Sequence, residues 1–404
     1  MRRIVAGLAC ATLASGTGSR GASAQDRTVR ADGPPVWGEM PALVEEVRIG
    51  LLEGPPEYLF GQVSGLAALA DGSIWVGDDH LHAIRRYAAD GAYQGQVGRE
   101  GEGPGEFDTP TTIRVLSDGS VAVFDPRLRR ISHFEADGTF LDSFAPPTNG
   151  IYGGVVGDLG VDGEGRFTVA AMKPPAPGQP RTAMSVVWLL LDRAGAVLDT
   201  LRLEPTEPVG SSDPIRTLTR RSPLGYLVTG RTDRYALTLQ LGPGEARTIE
   251  RAWEPVRYAS EERAERERLE EVIEGRSGRP GRDIPRTKLP WKDLWIDGAG
   301  RLWVRMYAEG YRHEETPGEE ASRREACAFF GASDEECDRG VDAWREPVVF
   351  EVIEPDGRYL GRVRLPAADA VPKQAEGAHL WVVEEGDFGE QSVVRYRIDA
   401  GGPR

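Results

Sequence analysis

Two stretches near the start of this 404-residue chain repeat one another without a gap: GLAALADGSIWVGDDHLHAIRRYAADGAYQGQVG (residues 65–98) and TIRVLSDGSVAVFDPRLRRISHFEADGTFLDSFA (residues 112–145). The offset of 47 residues aligns Asp78 with Asp125 and Ile84 with Ile131. Both Asp-Gly pairs of the first stretch fall on Asp-Gly pairs of the second. Each stretch therefore contains short apolar runs at the same spacing, separated by the same turn residues.

A repeat of this length and pattern is typical of one four-stranded blade of a β-propeller. Asp-Gly pairs suit its tight hairpins because Asp tolerates the left-handed region and Gly accepts positive φ. Similar runs along the chain give six blades, of which the last lacks its outermost strand. The alternating run at 42–50 supplies that strand, since ring closure removes exposed sheet edges. A seventh blade would need a strand pair within 36–60, which the prolines there disfavour.

The sequence thus predicts an all-β fold, a six-bladed β-propeller of four-stranded blades. Its N-terminal strand closes the last blade, and helical insertions lie on one face. The first residues look like a signal peptide, with a basic start, an apolar run of 11 residues and an Ala-Ser-Ala cleavage site. The predicted divisions are a signal peptide (1–24), a linker (25–41), the propeller (42–400) with a closing strand (42–50), a helical linker (255–289) and a blade-five insertion (307–346), and a tail (401–404).

The signal peptide predicts an exported protein, periplasmic or extracellular. Its apolar run is too short to span a bilayer. Cys10 suggests a lipoprotein, but Gly7 occupies the position where a lipobox has Leu, so simple secretion is favoured. The other two cysteines, Cys327 and Cys337, should form a disulfide in an oxidising compartment.

The composition limits the classes of partner. The formal net charge of −15 argues against binding to nucleic acid or to anionic lipid, since both need a basic surface. Five His and three Cys in the whole chain leave few ligands for a zinc or haem site. We therefore expect a monomer without a transmembrane span, a metal site or a cofactor, although a divalent cation such as calcium belongs to one alternative below.

The segment GREGEGPGEFDTPTTIRVLSDGSVAVFDPRLRRISHF (residues 98–134) resembles NHL-repeat propellers and, more broadly, the TolB-like six-bladed superfamily. The match is close in blades one and two only. The resemblance implies that Asp125 and Arg130 tie neighbouring blades together, and blade one departs from the pattern by having Ala83 in place of the Arg. KLPWKDLWIDGAGRLWV (288–304) and VVRYRID (393–399) also look like secreted bacterial six-bladed propellers of unassigned function.

Propeller topology places each connection on a face. The short connections within hairpins A–B and C–D fall on one face, and every long segment falls on the other, among the B–C loops and D–A linkers. Binding residues concentrate on loops of a rigid scaffold, so we expect the site there. The candidate contact residues, below a flap closed by Cys327 and Cys337, are Asp78, Asp79, His80, His82, Asp125, Arg127, Lys292, Asp293 and Asp387.

Among these, His80 and His82 could share a face of one strand and bind one ion. A structural Asp78 with surface His neighbours is the favoured interpretation, because the aligned Asp125 has no His beside it. No nucleophile-elbow, zincin, EF-hand or Walker pattern is present.

Three functions fit this sequence. The favoured one is an exported, non-catalytic propeller that binds a small molecule or an envelope or extracellular protein. An alternative is a divalent-metal-dependent lactonase or lyase with its site over the central channel. Such a site needs three or four Asp, Glu or Asn residues from different blades, and the chain has a single Asn, Asn149. The second alternative is an interaction scaffold of the cell envelope.

Overall fold

The computed structural model describes residues 25–147, 159–173, 185–202, 215–242, 244–278, 280–281, 283–329, 331, 333, 337–338 and 343–401. The predicted signal peptide, including Cys10, lies outside the described residues, as do residues 148–158 before blade three and residues 174–184 between its second and third strands.

The protein is a six-bladed β-propeller, as the repeat predicts, and each blade is an antiparallel sheet of four strands A to D. Blade one contains β3 (Val63–Ala68), β4 (Ile74–Asp78), β5 (Ala83–Tyr87) and β6 (Tyr93–Val97). Blade two contains β7 (Thr112–Val115), β8 (Val121–Asp125), β9 (Arg130–Phe134) and β10 (Phe140–Phe144). Blade three contains β11 (Gly160–Val161), β12 (Phe167–Lys173), β13 (Ser185–Leu191) and β14 (Val197–Arg202).

The second half of the ring carries the additions to this plan. Blade four contains β15 (Thr217–Arg221), β16 (Leu227–Arg231), β17 (Ala236–Gly242) and β18 (Glu245–Glu250), with β1 (Gln25–Arg30) as a fifth strand. Blade five contains β19 (Trp291–Ile296), β20 (Leu302–Met306), β23 (Val349–Ile353) and β24 (Tyr359–Arg364). Blade six contains β25 (Val371–Glu376), β26 (His379–Glu385), β27 (Gln391–Asp399) and β2 (Ala42–Ile49).

The B strands form the densest part of the core. Every residue of β4 and of β8 is buried, because the two faces of each sheet pack against the neighbouring blades. Trp75 of β4, for example, packs against Phe134 of blade two with the rings tilted by 60° and their centroids 6.0 Å apart. The inner strands of successive blades also contact one another around the axis, among them β3 with β7 and β25 with β3.

The N-terminal strand closes the ring, as predicted. β2 pairs antiparallel with β27, and Leu43 lies opposite Ile398. Ile49 at the end of β2 is fully buried in the apolar cluster between blades six and one, which includes Trp381 and Tyr87. Closure therefore adds apolar packing as well as backbone hydrogen bonds.

The segment 25–41, which we expected to be a linker, contains strand β1. It pairs in parallel with the outer edge of blade four, where Thr28 lies opposite Thr248. The chain then crosses the edge of blade five. There the Trp37 N–H donates to Leu360 O at 2.7 Å, and the Trp37 ring lies 6.5 Å from that of Trp303. The N-terminal segment thus covers blades four and five before it closes blade six.

The two insertions are helical. α1 (Ser260–Ser277) occupies the linker between blades four and five, and α2 (Pro317–Phe329) lies in the blade-five insertion with a short hairpin of β21 (Tyr311–Arg312) and β22 (Trp344–Arg345). Gly278 caps the C-terminus of α1 in the left-handed conformation (φ 64°). Cys327 and Cys337 form a disulfide with their Cα atoms 5.9 Å apart. Neither helix is long and apolar enough to cross a membrane within the described chain.

Ring closure can be tested within one strand. Ile49→Ala should lower the free energy of unfolding by about 2–4 kcal/mol, because it leaves a cavity between blades six and one. Val44→Ala on the same strand removes a side chain that is 37% exposed and should cost less than about 1 kcal/mol. Chemical denaturation of both variants provides the measurement. Equal losses would show that β2 does not contribute to the core in this way.

Candidate functional site

The two faces of the propeller differ in how they use their polar groups. We call the face of the A–B and C–D turns the turn face, and the face of the B–C loops, the D–A linkers, α1 and α2 the loop face. On the turn face an Asp at the start of most turns accepts a hydrogen bond from the backbone N–H two residues later. The carboxylates that do so are Asp71, Asp90, Asp118, Asp137, Asp162, Asp192, Asp297 and Asp356.

Asp118 shows how strongly such a carboxylate is held. Its Oδ1 accepts from the Ser120 hydroxyl at 2.6 Å and from the Ser120 N–H at 3.0 Å, and Arg193 of blade three donates to its Oδ2. The Ser120 hydroxyl and the Arg193 guanidinium lower the pKa of Asp118 to about 2. The turn-face aspartates therefore stabilise turns and are already hydrogen-bonded within the protein.

Two of the predicted site residues, Asp78 and Asp125, are internal clamps. Both are 1% exposed. Asp125 accepts from four backbone N–H groups, which belong to the preceding linker and to its own B–C loop: Asp108 (2.7 Å), Thr109 (2.9 Å), Arg127 (3.0 Å) and Leu128 (2.9 Å). Asp78 accepts at the equivalent linker positions, from Gly61 and Gln62 at 3.3 Å each. Their carboxylates hold the linkers between blades.

An arginine completes each clamp, from a different strand position in each blade. Arg130 donates to Glu106 O at 2.6 Å and to Glu102 O at 2.8 Å, both in the linker between blades one and two. Blade one has Ala83 at the aligned position, but Arg85, two residues further along the same strand, donates to Leu59 O at 2.7 Å. Leu59 aligns with Glu106 in the repeat, so the same carbonyl is bound in both blades.

The histidine cluster at residues 80–82 is also tied to linkers. His82 Nδ1–H donates to Asp108 O, and this bond raises the pKa of His82. The His80 ring lies where a Cβ on Gly61 would be, with its Nδ1 2.6 Å from that position. In blade two the aligned pair is Asp108 and Arg127, whose Oδ1 and Nε are 3.6 Å apart. Blade one therefore has Gly61 and the ring of His80 where blade two has the ion pair of Asp108 and Arg127.

Lys292 and Asp293 lie at the start of β19, where blade five meets blade four. Asp293 Oδ1 accepts from Arg220 Nη2 at 2.9 Å. Lys292 Nζ is 2.9 Å from Glu346 Oε2 and 4.7 Å from the Tyr307 ring centroid. Burial lowers the pKa of Lys292, although Glu346 opposes this shift.

Asp387 lies in the B–C loop of blade six, below α2. Its side chain is exposed, and its carbonyl oxygen accepts from the Gly318 N–H at 2.9 Å. A Cβ on Gly318 would lie 2.5 Å from Gly389 N, so only glycine permits this contact between the helix and the loop. Asp387 is thus an exposed group at the base of the flap.

A buried charged cluster between the two insertions was missed by sequence reasoning. Lys288, fully buried, donates to Glu262 Oε1 (2.8 Å), Glu346 Oε1 (3.0 Å) and Ala308 O (2.9 Å). It lies 4.9 Å from the Tyr258 ring centroid, and burial raises the pKa of Tyr258 to about 12. Burial would raise the pKa of Glu346 as well, but Lys292, the Ala308 N–H and Lys288 together hold that pKa below its ordinary value.

The Lys288 cluster joins α1, the linker after it, β19 and the blade-five insertion. Its members lie 26 and 58 residues apart in sequence, and each looks like an ordinary surface charge in a charged segment. The only signal was a single Lys in a linker otherwise rich in Arg and Glu.

The predicted site residues therefore share a face without forming one constellation. Asp108 connects the groups around His82, Asp125 and Arg127, while Lys292 with Asp293 and Asp387 belong to other blades. Within the described ranges, no group of three or more His, Cys, Asp or Glu side chains could hold a metal ion.

Comparison with known proteins gives fold neighbours only. No family model and no curated protein matches the chain. Among solved structures it is similar to a candidate exported protein of Bacteroides fragilis (9% identity, TM-score 0.49, 92% of this chain and 99% of that one). It is also similar to a DUF4221 family member from Bacteroides vulgatus (10%, 0.48, 88% and 98%) and to virginiamycin B lyase from Staphylococcus aureus (9%, 0.41, 87% and 98%). These likenesses assign no activity or compartment to this chain.

A comparison of two variants tests whether Asp125 stabilises the fold by holding the linker or acts only as a surface group. Asp125→Ala should lower the free energy of unfolding by about 2–4 kcal/mol, because four backbone N–H groups lose their acceptor. Arg127→Ala, whose side chain is 63% exposed, should change it by less than about 0.5 kcal/mol. Urea unfolding of both variants measures the difference. A stable Asp125→Ala protein would contradict the clamp.

The Lys288 cluster should control the order of both insertions. Lys288→Met removes the fully buried cation that Glu262 and Glu346 share and should lower the free energy of unfolding by about 3–5 kcal/mol. It should also raise amide exchange in α1. Lys292→Met, at a side chain that is 24% exposed, serves as the control and should have a smaller effect. Equal protection of α1 in wild type and Lys288→Met would refute this role.

Proposed function

We propose that this protein is an exported, non-catalytic β-propeller that binds a small molecule or a protein partner on its loop face. The observation that carries the proposal is the division between the faces. The eight turn-face aspartates are engaged by their own turns, whereas both helical insertions lie on the loop face.

The loop face is built as a rigid platform. The Lys288 cluster anchors both insertions, and Gly318 joins α2 to the B–C loop of blade six. A site that is ordered before binding loses less conformational entropy on association. Large aromatic groups are exposed on it, with Phe329 84% exposed and Phe388 65% exposed. Aromatic side chains are enriched in interfaces, which supports a binding role for this surface.

Export is supported by the charge and apolar pattern of residues 1–24 and by the Cys327–Cys337 disulfide, because disulfides persist in oxidising compartments. Membership of the NHL-repeat or TolB-like propellers stays a prediction from the resemblance of blades one and two.

The lactonase or lyase alternative would need carboxylates from several blades over the channel. The described parts of the six innermost strands carry two, Asp293 and Glu376, and Asp293 is bound to Arg220. This supports the non-catalytic proposal. The scaffold alternative differs only in the kind of partner.

The proposal is tested by mapping a binder to a face. A panel of sugars, sugar acids, amino acids and short peptides is screened for an increase in the melting temperature of the mature chain. We expect a binder to slow amide exchange at residues 79–82, 126–129 and 386–390 and to leave the Asp-Gly turns unchanged.

Two matched variants remove the same charge from the two faces. Asp79→Ala with Asp387→Ala should weaken binding at least about tenfold, a loss of about 1.4 kcal/mol. Asp90→Ala with Asp137→Ala on the turn face should leave it unchanged. Loss of binding in the turn-face variant alone would show that the ligand binds the turn face and would contradict the proposal. Turnover of a lactone or cyclic peptide that requires a divalent cation would replace the proposal with the enzymatic alternative.

A further inference from the structure

Exposed apolar side chains lie on the loop face of blade six. Phe388, in the B–C loop of this blade, is 65% exposed, and Leu51 and Leu52, in the linker that follows its last strand, are 46% and 51% exposed. Single exposed apolar groups are ordinary on a protein surface, whereas neighbouring ones mark sites of interaction. The place of these three residues in the fold shows that they are neighbours.

The pairing of β2 with β27 brings the two segments together. A Cβ on Gly50, the residue after β2, would lie 2.5 Å from the carbonyl oxygen of Gln391, the first residue of β27. β2 thus ends where the B–C loop of blade six enters β27. Leu51 and Leu52 therefore leave the sheet beside the loop that carries Phe388, and we call these three residues the blade-six patch.

The loop that carries Phe388 is ordered by contacts on both sides. The Gly386 N–H donates to Glu390 O at 2.8 Å, and the Phe388 N–H donates to Glu390 Oε2 at 3.1 Å. On the side of α2, a Cβ on Gly318 would lie 2.7 Å from the carbonyl carbon of Phe388. The phenyl ring is therefore exposed on a fixed turn, and little conformational entropy would be lost when a partner covers it.

Carboxylates flank the blade-six patch in the sequence and on the surface. Glu53 follows Leu52, Asp387 precedes Phe388, and both acidic residues are exposed. Neither Glu53 nor Asp387 forms an ion pair with any residue that the structure describes. Their charges are therefore available to a partner that covers the apolar side chains.

Further negative charge lies at the end of β26, behind the loop. Partial burial raises the pKa of Glu385, and repulsion from nearby carboxylates raises it further, while the Gln391 side chain opposes the shift. The carboxylates that repel it are Asp369, Glu319 and Glu390. Of these, Glu319 is paired with His313 and Arg345. Carboxylates are thus close together beside the patch, and a cation that approaches here is attracted to them.

An apolar centre with acidic neighbours is complementary to a surface that is apolar and cationic. We propose that the blade-six patch binds a segment of a partner protein in which leucine or phenylalanine side chains are flanked by lysine or arginine. This inference rests on the proposed function and specifies the chemistry of its partner. The apolar side chains contribute burial, and the carboxylates attract and orient the partner.

A fluorescein-labelled peptide of alternating lysine and leucine that ends in phenylalanine is a suitable probe. The mature protein is titrated into it at low and high sodium chloride, and fluorescence anisotropy measures binding. We expect saturable binding that weakens as salt screens the carboxylates. The same peptide with glutamate for lysine, or with serine for leucine and phenylalanine, should bind at least about tenfold more weakly, because each lacks one half of the complementarity.

Two variants of the protein separate the apolar and the charged contributions. Leu52→Ser with Phe388→Ser should weaken binding at least about tenfold, because the apolar centre is lost. Glu53→Gln with Asp387→Asn should weaken it about threefold to tenfold and reduce its dependence on salt. Phe388→Tyr keeps an aromatic ring and should bind within about threefold of wild type.

The matched controls remove the same kinds of side chain away from the patch. Val197→Ser with Leu198→Ser changes two side chains of blade three that are 46% and 53% exposed. Glu135→Gln with Asp356→Asn removes two exposed carboxylates of the turn face. Both controls should bind within about twofold of wild type, and melting temperatures of all variants verify folding.

Absence of saturable binding of the cationic peptide, equal binding of the control peptides, or equal loss in patch and control variants would overturn the inference. A binder from the screen of small molecules and peptides that slows amide exchange at residues 79–82 or 126–129 and ignores the patch variants would overturn this inference and leave the proposed function standing. A binder that maps to the turn face would overturn the proposed function.

Discussion

The pairing of β2 with β27 is the constraint on which the rest of the propeller depends. It joins residues near the two ends of the chain, such as Leu43 and Ile398, so it closes a loop of most of the sequence. The entropy of closing such a loop must be offset by burial. Ile49 and its neighbours between blades six and one supply that burial, and β1 and Trp37 add contacts with blades four and five. The N-terminal segment thus contacts blades four, five and six in succession.

The sequence predicted the ring because its signals are local. Asp-Gly turns and short apolar runs lie close together in the chain, and the blade count followed from them. The outer strand β1 was missed because an edge strand buries little, so QDRTVR has no apolar alternation, and the following prolines suggested a linker. The Lys288 cluster was missed because its pairing depends on how two insertions pack, which no periodicity in either segment records.

The predicted site residues include both buried structural groups and exposed groups, and the difference has a physical reason. Asp78 and Asp125 recur at the same repeat position because every blade must satisfy the backbone N–H groups of its linker. In blade one, Arg85 binds the linker carbonyl that Arg130 binds in blade two, although position 83 aligns with Arg130. The fold therefore requires that this carbonyl accepts a hydrogen bond from an arginine, and the arginine can come from either strand position. Recurrence therefore marks structural groups. Groups that occur in a single blade, such as Asp387 and Lys292, are the better candidates for function.

The charged side chains can also be divided into those with a structural role and those that act on the surroundings of the protein. The whole chain has a net charge of −15, and several of its carboxylates accept hydrogen bonds from turn N–H groups. The pKa of Asp118, one of these carboxylates, is lowered to about 2, and negative charge of this kind repels nucleic acid and anionic lipid. On the inner strands, the cations Arg220 and Lys292 are paired with the carboxylates of Asp293 and Glu346. The net charge of the whole chain thus bears on which macromolecules it repels, while the pairing of individual charges, which depends on how the blades and insertions pack, has to be read from the structure.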